Sequence, residues 1–418
     1  MKIELHLIQS FPPSCLNRDA TGSPKDCEFG GVRRARVSSQ CFKRAMRGFF
    51  REKNLVPVGE RTKRLREELV PKLSDLAPSE LVAPAVDAFI HAFYSKNDSK
   101  KAEHAAVLLF LSQVEIEAIA QIVRENWDEL QKAGAARSKK MAEIDAKSGK
   151  TKKVANTEAE AAESGESEAV VADGDGKYKD LPPVKFDSNL HKSIRDRLEH
   201  LAISPDIALF GRMLANERDQ VDIKKEAASQ VAHAISTHAV TPELDFFSAV
   251  DDLNTDDAGA GMLGVTGFNA AVFYRYALVD FDALKKNLGG DNEAATQTVR
   301  AFLEAFIEAI PTGKQNSMAA QNRPDLGFFV VREDGAPCSL VNAFCTPVRL
   351  EKNSGLLDQS VERLAKYWEK MTQVYGDEGV VVQPFFSAVD ENITKPLGTA
   401  VSKKEAIEIV VNALPKSA

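Results

Sequence analysis

The periodicity of residues 32 to 51 changes once, at Ser38, and this change constrains the local fold more than any other feature of the chain. Val32 to Val37 alternate in the manner of a short β-strand. Ser38 belongs to the residue types that cap a helix at its N-terminus. Beyond it, apolar residues recur three and four positions apart, as on the buried side of a helix: Phe42, Ala45, Met46, Phe49 and Phe50. The segment is therefore predicted to be a strand followed directly by a two-faced helix.

The same segment concentrates positive charge in an acidic chain. Residues 29 to 51 contain no Asp or Glu, whereas the 418-residue chain has a formal net charge of −7. The cations fall on the predicted strand and on the polar side of the predicted helix: Arg33, Arg34, Arg36, Lys43, Arg44, Arg47 and Arg51. Positive charge near phosphates gives affinity without reading sequence. The segment is therefore predicted to bind a polyanion, with nucleic acid as the leading hypothesis.

Polar residues beside these cations complete the predicted surface. Ser38, Ser39 and Gln40 join the strand to the helix, and their side chains and the helix N-terminal N–H groups suit phosphate contacts. The preceding loop adds three further candidates: Asn17, Arg18 and Lys25. Commonly, however, such cations only keep a helix soluble, so a plain solvated face is the competing interpretation.

Composition argues against several other classes of protein. The five cysteines form no C-x-x-C pair, so a zinc site or a disulfide framework is not expected, and reduced thiols fit a cytosolic protein. No apolar run approaches the roughly 18–20 residues of a membrane span. The sequence carries no nucleotide-binding glycine fingerprint. We therefore expect no cofactor, no metal and no catalytic residue.

Patterning outside the basic segment indicates a mixed α+β chain. Ile3, Leu5 and Leu7 alternate with polar residues, which predicts a half-buried first strand. Residues 60 to 131 are helical in pattern. Residues 133 to 177 contain no aromatic residue and few aliphatic ones, so we predict a disordered insertion there. Strands alternate with helices again in the second half of the chain.

Several sequence blocks resemble the CasC family, the repeated backbone subunit of the type I-E CRISPR Cascade complex. They occur in order between residues 14 and 345: SCLNRD, FGGVRRARVSSQCFKRAMR, DIALFGRM, AHAISTHAVTPELDFFSAVDDL, AVFYRYA, NLGG, PTGKQ and NAF. The resemblance covers most of the chain. It departs chiefly at residues 133 to 177 and at the AAQNRP loop after Met318.

The resemblance implies a hand-like α+β protein with a modified RRM or ferredoxin-like palm, a helical fingers insertion and a thumb hairpin. On this chain the palm is expected at residues 1–58 and 226–418, the fingers at 59–203 and the thumb at 204–225. Met213 and Leu214 are the apolar residues expected to act as a wedge that displaces a base. Lys314 and Gln315, in the TGKQ loop, are further candidates for contact with RNA or a neighbouring subunit.

The function implied by the resemblance is structural. CRISPR RNA, further copies of the chain and other Cascade subunits are the expected partners, and target DNA joins by pairing with the guide. The cations between Arg18 and Arg47 are expected to hold the guide backbone, which leaves the base edges free for pairing. No membrane partner is expected.

Two other functions stay open from the sequence. Backbone subunits of type III complexes cut target RNA with a loop Asp and a divalent metal, and Asp19 and Asp26 lie in a comparable loop. A general interaction scaffold that binds no RNA is the second alternative.

Overall fold

A large antiparallel sheet organises the N-terminal and C-terminal parts of the chain. The computed structural model describes residues 1–94, 105, 107–159, 184, 186–213, 221–250 and 260–416. Their strands are β1 (Lys2–Ser14), β2 (Asp26–Phe29), β3 (Val32–Val37), β4 (Glu60–Thr62), β5 (Leu109–Leu111), β6 (Ser229–Val231), β7 (Ala234–Ser236), β8 (Glu243–Val250), β9 (Ala260–Asp280), β10 (Leu326–Arg332), β11 (Val380–Val382) and β12 (Phe385–Ser387).

The sheet runs in the order β11-β10-β1-β9-β7-β3-β2. Strand β12 also pairs with β10, and β6 and β8 also pair with β9. Strands β4 and β5 form a separate two-stranded sheet. The helices are α1 (Ser39–Glu52), α2 (Leu65–Lys72), α3 (Ser79–Phe93), α4 (Gln113–Glu125), α5 (Trp127–Ala159), α6 (Ser188–Glu199), α7 (Pro205–Phe210), α8 (Phe281–Asn287), α9 (Asn292–Glu308), α10 (Gln315–Met318), α11 (Leu356–Tyr375), α12 (Glu391–Thr394) and α13 (Lys403–Asn412). The α+β class predicted from the sequence is confirmed.

The described residues divide into two compact units. The sheet unit consists of Met1–Pro57, Ala208–Phe210 and Ala227–Ala418. The helical unit consists of Val58–Ile207 and Gly211–Glu226. Within the described residues, no helix combines the length and apolar character needed to cross a membrane.

Strand β1 is buried on both faces, so the predicted half-buried strand is wrong. Ile3, Leu5 and Leu7 are buried, but so are Glu4 and His6 between them. Glu4 accepts hydrogen bonds from Arg332 Nε at 2.8 Å and from the Cys338 N–H at 2.6 Å. His6 contacts the Tyr274 hydroxyl at 2.9 Å, and burial lowers the pKa of its imidazole to about 3. The alternating pattern predicted an exposed face, but the polar side chains of Glu4 and His6 are buried because both have partners inside the core.

Helices cover the sheet, and the helical unit has its own core. Trp368 of α11 packs edge-on against Phe328 of β10, with ring centroids 5.1 Å apart. In the helical unit, apolar residues of α2, α3, α4 and α6 form one cluster, which includes Leu69, Phe89 and Ile119. Each unit therefore has an apolar core of its own.

Helix α5 corrects the prediction of disorder from residue 133. It runs over Trp127–Ala159, and residues 160–177 lie outside the described residues. Gly134 of α5 lies so close to α3 that a Cβ there would be 2.5 Å from the Pro84 carbonyl carbon. The Ala and Lys residues of α5 favour a helix, and Leu130 joins its first part to the core of the helical unit. Low hydrophobicity therefore misled the prediction over residues 133–159.

The longest hairpin lies outside the range predicted for the thumb. Within residues 204–225 the structure describes α7 and a single antiparallel bridge between Arg212 and Lys225. Strands β8 and β9 instead form a long hairpin, paired from Glu243–Phe268 to Val250–Ala260. Phe246 opposes Val265 in this register, and Ser248 opposes Leu263. The sequence pattern did not predict this hairpin.

Candidate nucleic-acid interface

The hairpin of β2 and β3 turns through Gly30 and Gly31. Their φ angles are +63° and +73°, as a two-residue turn with positive φ at both positions requires. A Cβ on Gly30 would lie 1.7 Å from the Cys345 carbonyl oxygen, so only glycine fits this approach. The turn is thus held against the segment that contains the NAF block.

Arg34 is fully buried and cannot contact RNA, which corrects its assignment as an RNA-binding residue. Its Nε donates to the Phe29 carbonyl at 3.1 Å, and Nη1 donates to the Ser236 carbonyl at 3.0 Å. Its Nη2 donates to the Phe344 carbonyl at 2.7 Å. The cation lies within the core because three chain segments present carbonyl acceptors to it. Burial lowers the pKa of this guanidinium.

The other two strand arginines lie nearer the surface but are engaged. Arg33 is exposed and pairs with the Asp26 carboxylate at 2.6 Å. Arg36 donates to the Asp26 carbonyl at 3.0 Å and contacts His233 Nδ1 at 3.0 Å. Both guanidinium groups are therefore oriented by the β2–β3 hairpin.

Asn17 and Ser38 build the junction between loop, strand and helix. The Ser38 N–H donates to Asn17 Oδ1 at 2.9 Å, and the Ser38 hydroxyl accepts from the Cys41 N–H at 3.3 Å. The predicted N-cap is thereby confirmed, although Ser38 is itself buried. The Lys25 N–H donates to the Asn17 carbonyl at 2.9 Å, which closes the loop. Ser39 is half-buried and Gln40 is exposed at the start of α1.

Helix α1 has the two faces predicted for it. Phe42, Met46 and Phe50 are buried. On the other side Arg44 is exposed and Arg47 is half-buried. Lys43 lies over the Phe210 ring, with Nζ 5.6 Å from the centroid, and burial lowers the pKa of its ammonium group. Lys43 is thus less available to a ligand than Arg44.

The TGKQ loop packs against the SCLNRD segment. A Cβ on Gly313 would lie 2.5 Å from the Leu16 carbonyl oxygen, so the two segments touch through backbone. Gln315 donates to the Pro311 and Ala320 carbonyls, both at 3.1 Å, and so shapes the loop itself. Lys314 adopts a left-handed conformation with φ of +52° and is half-buried. The structure therefore brings together two blocks about 300 positions apart in sequence.

A groove of about 1060 Å³ opens between α1, the loop after β1 and the segment after α9. Its polar and charged lining includes three of the predicted residues, Asn17, Arg18 and Arg44. Residues that the sequence analysis missed also line it: Lys53, Phe49, Thr312 and Gln321. Lys53 comes directly after α1 and only two positions after Arg51, so the spacing of three and four that predicted the helix cations did not include it. No local signal marks Thr312 or Gln321, because only tertiary packing brings their segment here.

Three carboxylates also line the groove, and each has a partner. Glu308 accepts from Lys403 at 2.5 Å, and Glu52 pairs with Lys53 at 3.0 Å. Asp19 accepts from the Thr21 hydroxyl at 2.7 Å and from the Ser23 N–H at 3.0 Å. These hydrogen bonds lower the pKa of the Asp19 carboxyl. Arg18 and Arg44 form no ion pair with the described residues, so their charge is available to an anion.

The remaining predicted residues lie outside the groove lining. Met213, in the helical unit, is 95% exposed. Leu214 lies outside the described residues. Among the residues that the structure describes, no cluster of three or more His, Cys, Asp or Glu side chains could hold a metal ion.

The fold and the groove define an α+β protein with an antiparallel sheet unit that presents a polar, arginine-bearing groove. The chain belongs to the family described as CT1975-like protein, which matches residues 3–413. This match confirms the predicted relationship to CasC proteins. No curated protein sequence matches the chain.

Solved structures show the same fold. A chain described as "CRISPR RNA-guided surveillance complex, pre-nicking" is 28% identical, with a TM-score of 0.76, and the alignment covers 99% of this chain and 100% of that one. A second, described as "CRISPR RNA-guided surveillance complex", is 24% identical, with a TM-score of 0.66 and the same coverage. At that identity the second likeness supports the fold alone.

Arg34 is buried and Arg44 is exposed, so substitution should change the free energy of unfolding much more at Arg34 than at Arg44. Arg34→Met leaves carbonyl groups of three segments without their donor, so it should lower the free energy of unfolding by about 3 kcal/mol or more. Arg44→Ala removes an exposed side chain and should change it by less than about 0.5 kcal/mol. Denaturant unfolding of the full chain measures both. Equal stability of the two variants would contradict the structural role of Arg34.

Proposed function

We propose that this protein is the CRISPR RNA-binding backbone subunit of a type I-E Cascade surveillance complex, acting in the cytoplasm. In this proposal the sheet unit is the palm, the helical unit is the fingers domain, and copies polymerise along the guide RNA beside other Cascade subunits. The observation that supports the proposal is the groove of the sheet unit, which presents Arg18 and Arg44. The family relationship supports it independently. The 28% identical chain from an RNA-guided complex supports it.

The size and charge of the groove are compatible with a nucleic-acid strand. Its volume of about 1060 Å³ slightly exceeds the roughly 300–1,000 Å³ of pockets that enclose small molecules. Its own carboxylates are occupied by Lys403, Lys53 and the Asp19 loop, so they repel an incoming phosphate less than free carboxylates. We therefore assign the two unpaired arginines to the guide backbone.

Backbone contacts explain how one protein serves guides of any sequence. Arginine–phosphate contacts position a strand without reading its bases. The groove offers Asn17, Thr312 and Gln321 as further polar groups for sugar and phosphate. Sequence recognition then belongs to pairing between guide and target DNA.

Met213 is proposed to displace a base from the guide at regular intervals. It is exposed over 95% of its surface, which is unusual for an apolar side chain with no partner among the described residues. Unstacking a base costs a few kcal/mol, which the backbone contacts must offset. Leu214, predicted beside it, keeps the same proposed role.

The β8–β9 hairpin is proposed to contact a neighbouring copy. Leu244, Phe246, Leu263 and Val265 lie on one face of this hairpin, and each is at least 60% exposed. A contiguous exposed apolar face of this kind marks an interaction surface. A repeated contact between copies would extend the filament along the guide.

The proposed subunit is not catalytic. Asp19 is held by its own loop, and Asp26 pairs with Arg33, so both candidate carboxylates of the ribonuclease alternative have partners. Cleavage of complementary RNA at regular intervals with Mg²⁺, lost in Asp19→Ala, would contradict this part of the proposal.

The groove arginines predict both affinity and its salt dependence. Arg18→Ala combined with Arg44→Ala should weaken binding of single-stranded RNA by about tenfold or more. The slope of log K against log salt should become shallower by about 1.4, since each phosphate contact on a single strand contributes about 0.7. Filter binding over a salt series measures both quantities.

The matched control is Lys370→Ala combined with Lys395→Ala, two exposed lysines of the sheet unit that lie outside the groove. It should leave the affinity and the slope unchanged. Equal effects of the arginine pair and the lysine pair would show that RNA binding depends on net charge alone. Wild-type protein that binds no RNA would overturn the proposed function.

The hairpin face predicts the size of the assembly. Phe246→Ser combined with Leu263→Ser should reduce the number of copies per RNA, because a buried apolar side chain contributes about 1.5–3 kcal/mol to a contact. Mass photometry of protein–RNA particles measures it. Val374→Ser with Tyr375→Ser changes two other exposed apolar residues and should have no effect. Particles of wild-type mass from the hairpin variant would contradict the proposed contact.

A further inference from the structure

Met213 directly follows one of the most firmly held side chains of the helical unit. Arg212 is 4% exposed, whereas Met213 is 95% exposed. The Arg212 N–H donates to the Lys225 carbonyl at 2.9 Å, and the Lys225 N–H donates back to the Arg212 carbonyl at 3.0 Å. This pair of bonds closes the loop between the two residues at its base.

The Arg212 guanidinium contacts three separate segments. Nη1 contacts Glu115 Oε1 at 2.6 Å and the Phe110 carbonyl at 3.0 Å. Nε donates to the Ile223 carbonyl at 2.7 Å, on the returning side of the loop. The side chain therefore ties both ends of the loop to β5 and α4.

Glu115 is itself held rigidly. Its Oε2 accepts from the Ser112 N–H at 2.8 Å and from the Ser112 hydroxyl at 2.9 Å, while that hydroxyl accepts from the Glu115 N–H at 3.2 Å. This reciprocal arrangement is the capping box that begins α4. One carboxylate thus caps a helix with one oxygen and holds Arg212 with the other.

The returning side of the loop is fixed as well. Val221 is buried, and its N–H donates to the Phe93 carbonyl at 2.9 Å. Ile223, which accepts from Arg212, is also buried. The backbone on both sides of the loop is therefore anchored in the helical core, close to Met213 on one side.

We propose that the Arg212–Glu115 pair is a positioning device that holds Met213 rigidly enough to separate stacked bases. This inference rests on the proposed wedge function of Met213. A methionine side chain is flexible, so a wedge built from it works only if its backbone does not yield when stacked bases push back. The buried ion pair supplies that resistance, and Ser112 orients the acid that completes it.

A purely structural role is the competing explanation, because removing one partner from any buried ion pair destabilises a fold. The sheet unit offers a matched comparison in Arg332 and Glu4, which are also buried and lie 2.8 Å apart. Neither residue adjoins a candidate RNA contact. Loss of either acid should destabilise the protein, but only loss of Glu115 should affect the displaced bases.

The test uses the full chain assembled on a guide RNA and probed with dimethyl sulfate. In the wild-type complex, bases of raised reactivity should recur at a fixed interval, and Met213→Ala should abolish the pattern. Glu115→Gln should reduce the contrast between displaced and stacked bases by about threefold or more while RNA affinity stays within about twofold. Glu4→Gln should leave the contrast intact.

A milder variant covers the case in which Glu115→Gln does not fold. Ser112→Ala removes the hydroxyl that orients Glu115 and should reduce the contrast partially. The positioning role alone is overturned if folded Ser112→Ala and Glu115→Gln complexes keep the full contrast in reactivity while Met213→Ala abolishes it. An unchanged pattern in Met213→Ala overturns the wedge, and the positioning role with it. Absence of RNA binding by the wild type overturns the proposed function itself.

Discussion

The buried guanidinium of Arg34 is the contact on which the geometry of the sheet unit's groove depends. Its donors join the β2–β3 turn at Phe29, the β7 strand at Ser236 and the segment at Phe344. A charged group in the interior is tolerated when its donors are matched by acceptors, and Arg34 meets this condition with backbone carbonyls. Because β3 leads directly into α1, fixing β3 also fixes the direction of the helix that carries Arg44.

The acidic side chains of the groove have partners, whereas Arg18 and Arg44 form no ion pair with the described residues. The groove contains as many acidic as basic side chains when Arg18, Arg44 and Lys53 are set against Asp19, Glu52 and Glu308. The acids, however, are engaged by Lys403, by Lys53 or by their own loop. In the helical unit, Glu115 is buried and pairs with Arg212. The partners of the groove acids therefore leave Arg18 and Arg44 as the available cations of the groove.

The sequence predicted those parts of the site that follow from local physics. The strand, the Ser38 cap and the apolar stripe of α1 depend on neighbours within a few residues, and all three are present. Arg34 was misassigned because its acceptors come from positions about 200 and 310 residues away. Gln321 was missed for the same reason, since its segment reaches the groove through tertiary contacts such as the close approach of Gly313 to Leu16. Helix α5 was mispredicted for a different reason. Its low hydrophobicity predicted disorder, but the helix propensity of its residues favours the helix that the structure shows.

We propose that the groove between α1 and the segment after α9 holds the backbone of a guide RNA. Ultraviolet crosslinking of the native protein–RNA particle, followed by mass spectrometry of the crosslinked peptides, tests it directly. We expect crosslinks in residues 16–22, 41–53 and 308–321, on RNA of uniform length. Crosslinks confined to other surfaces of the sheet unit, or a particle without RNA, would contradict it.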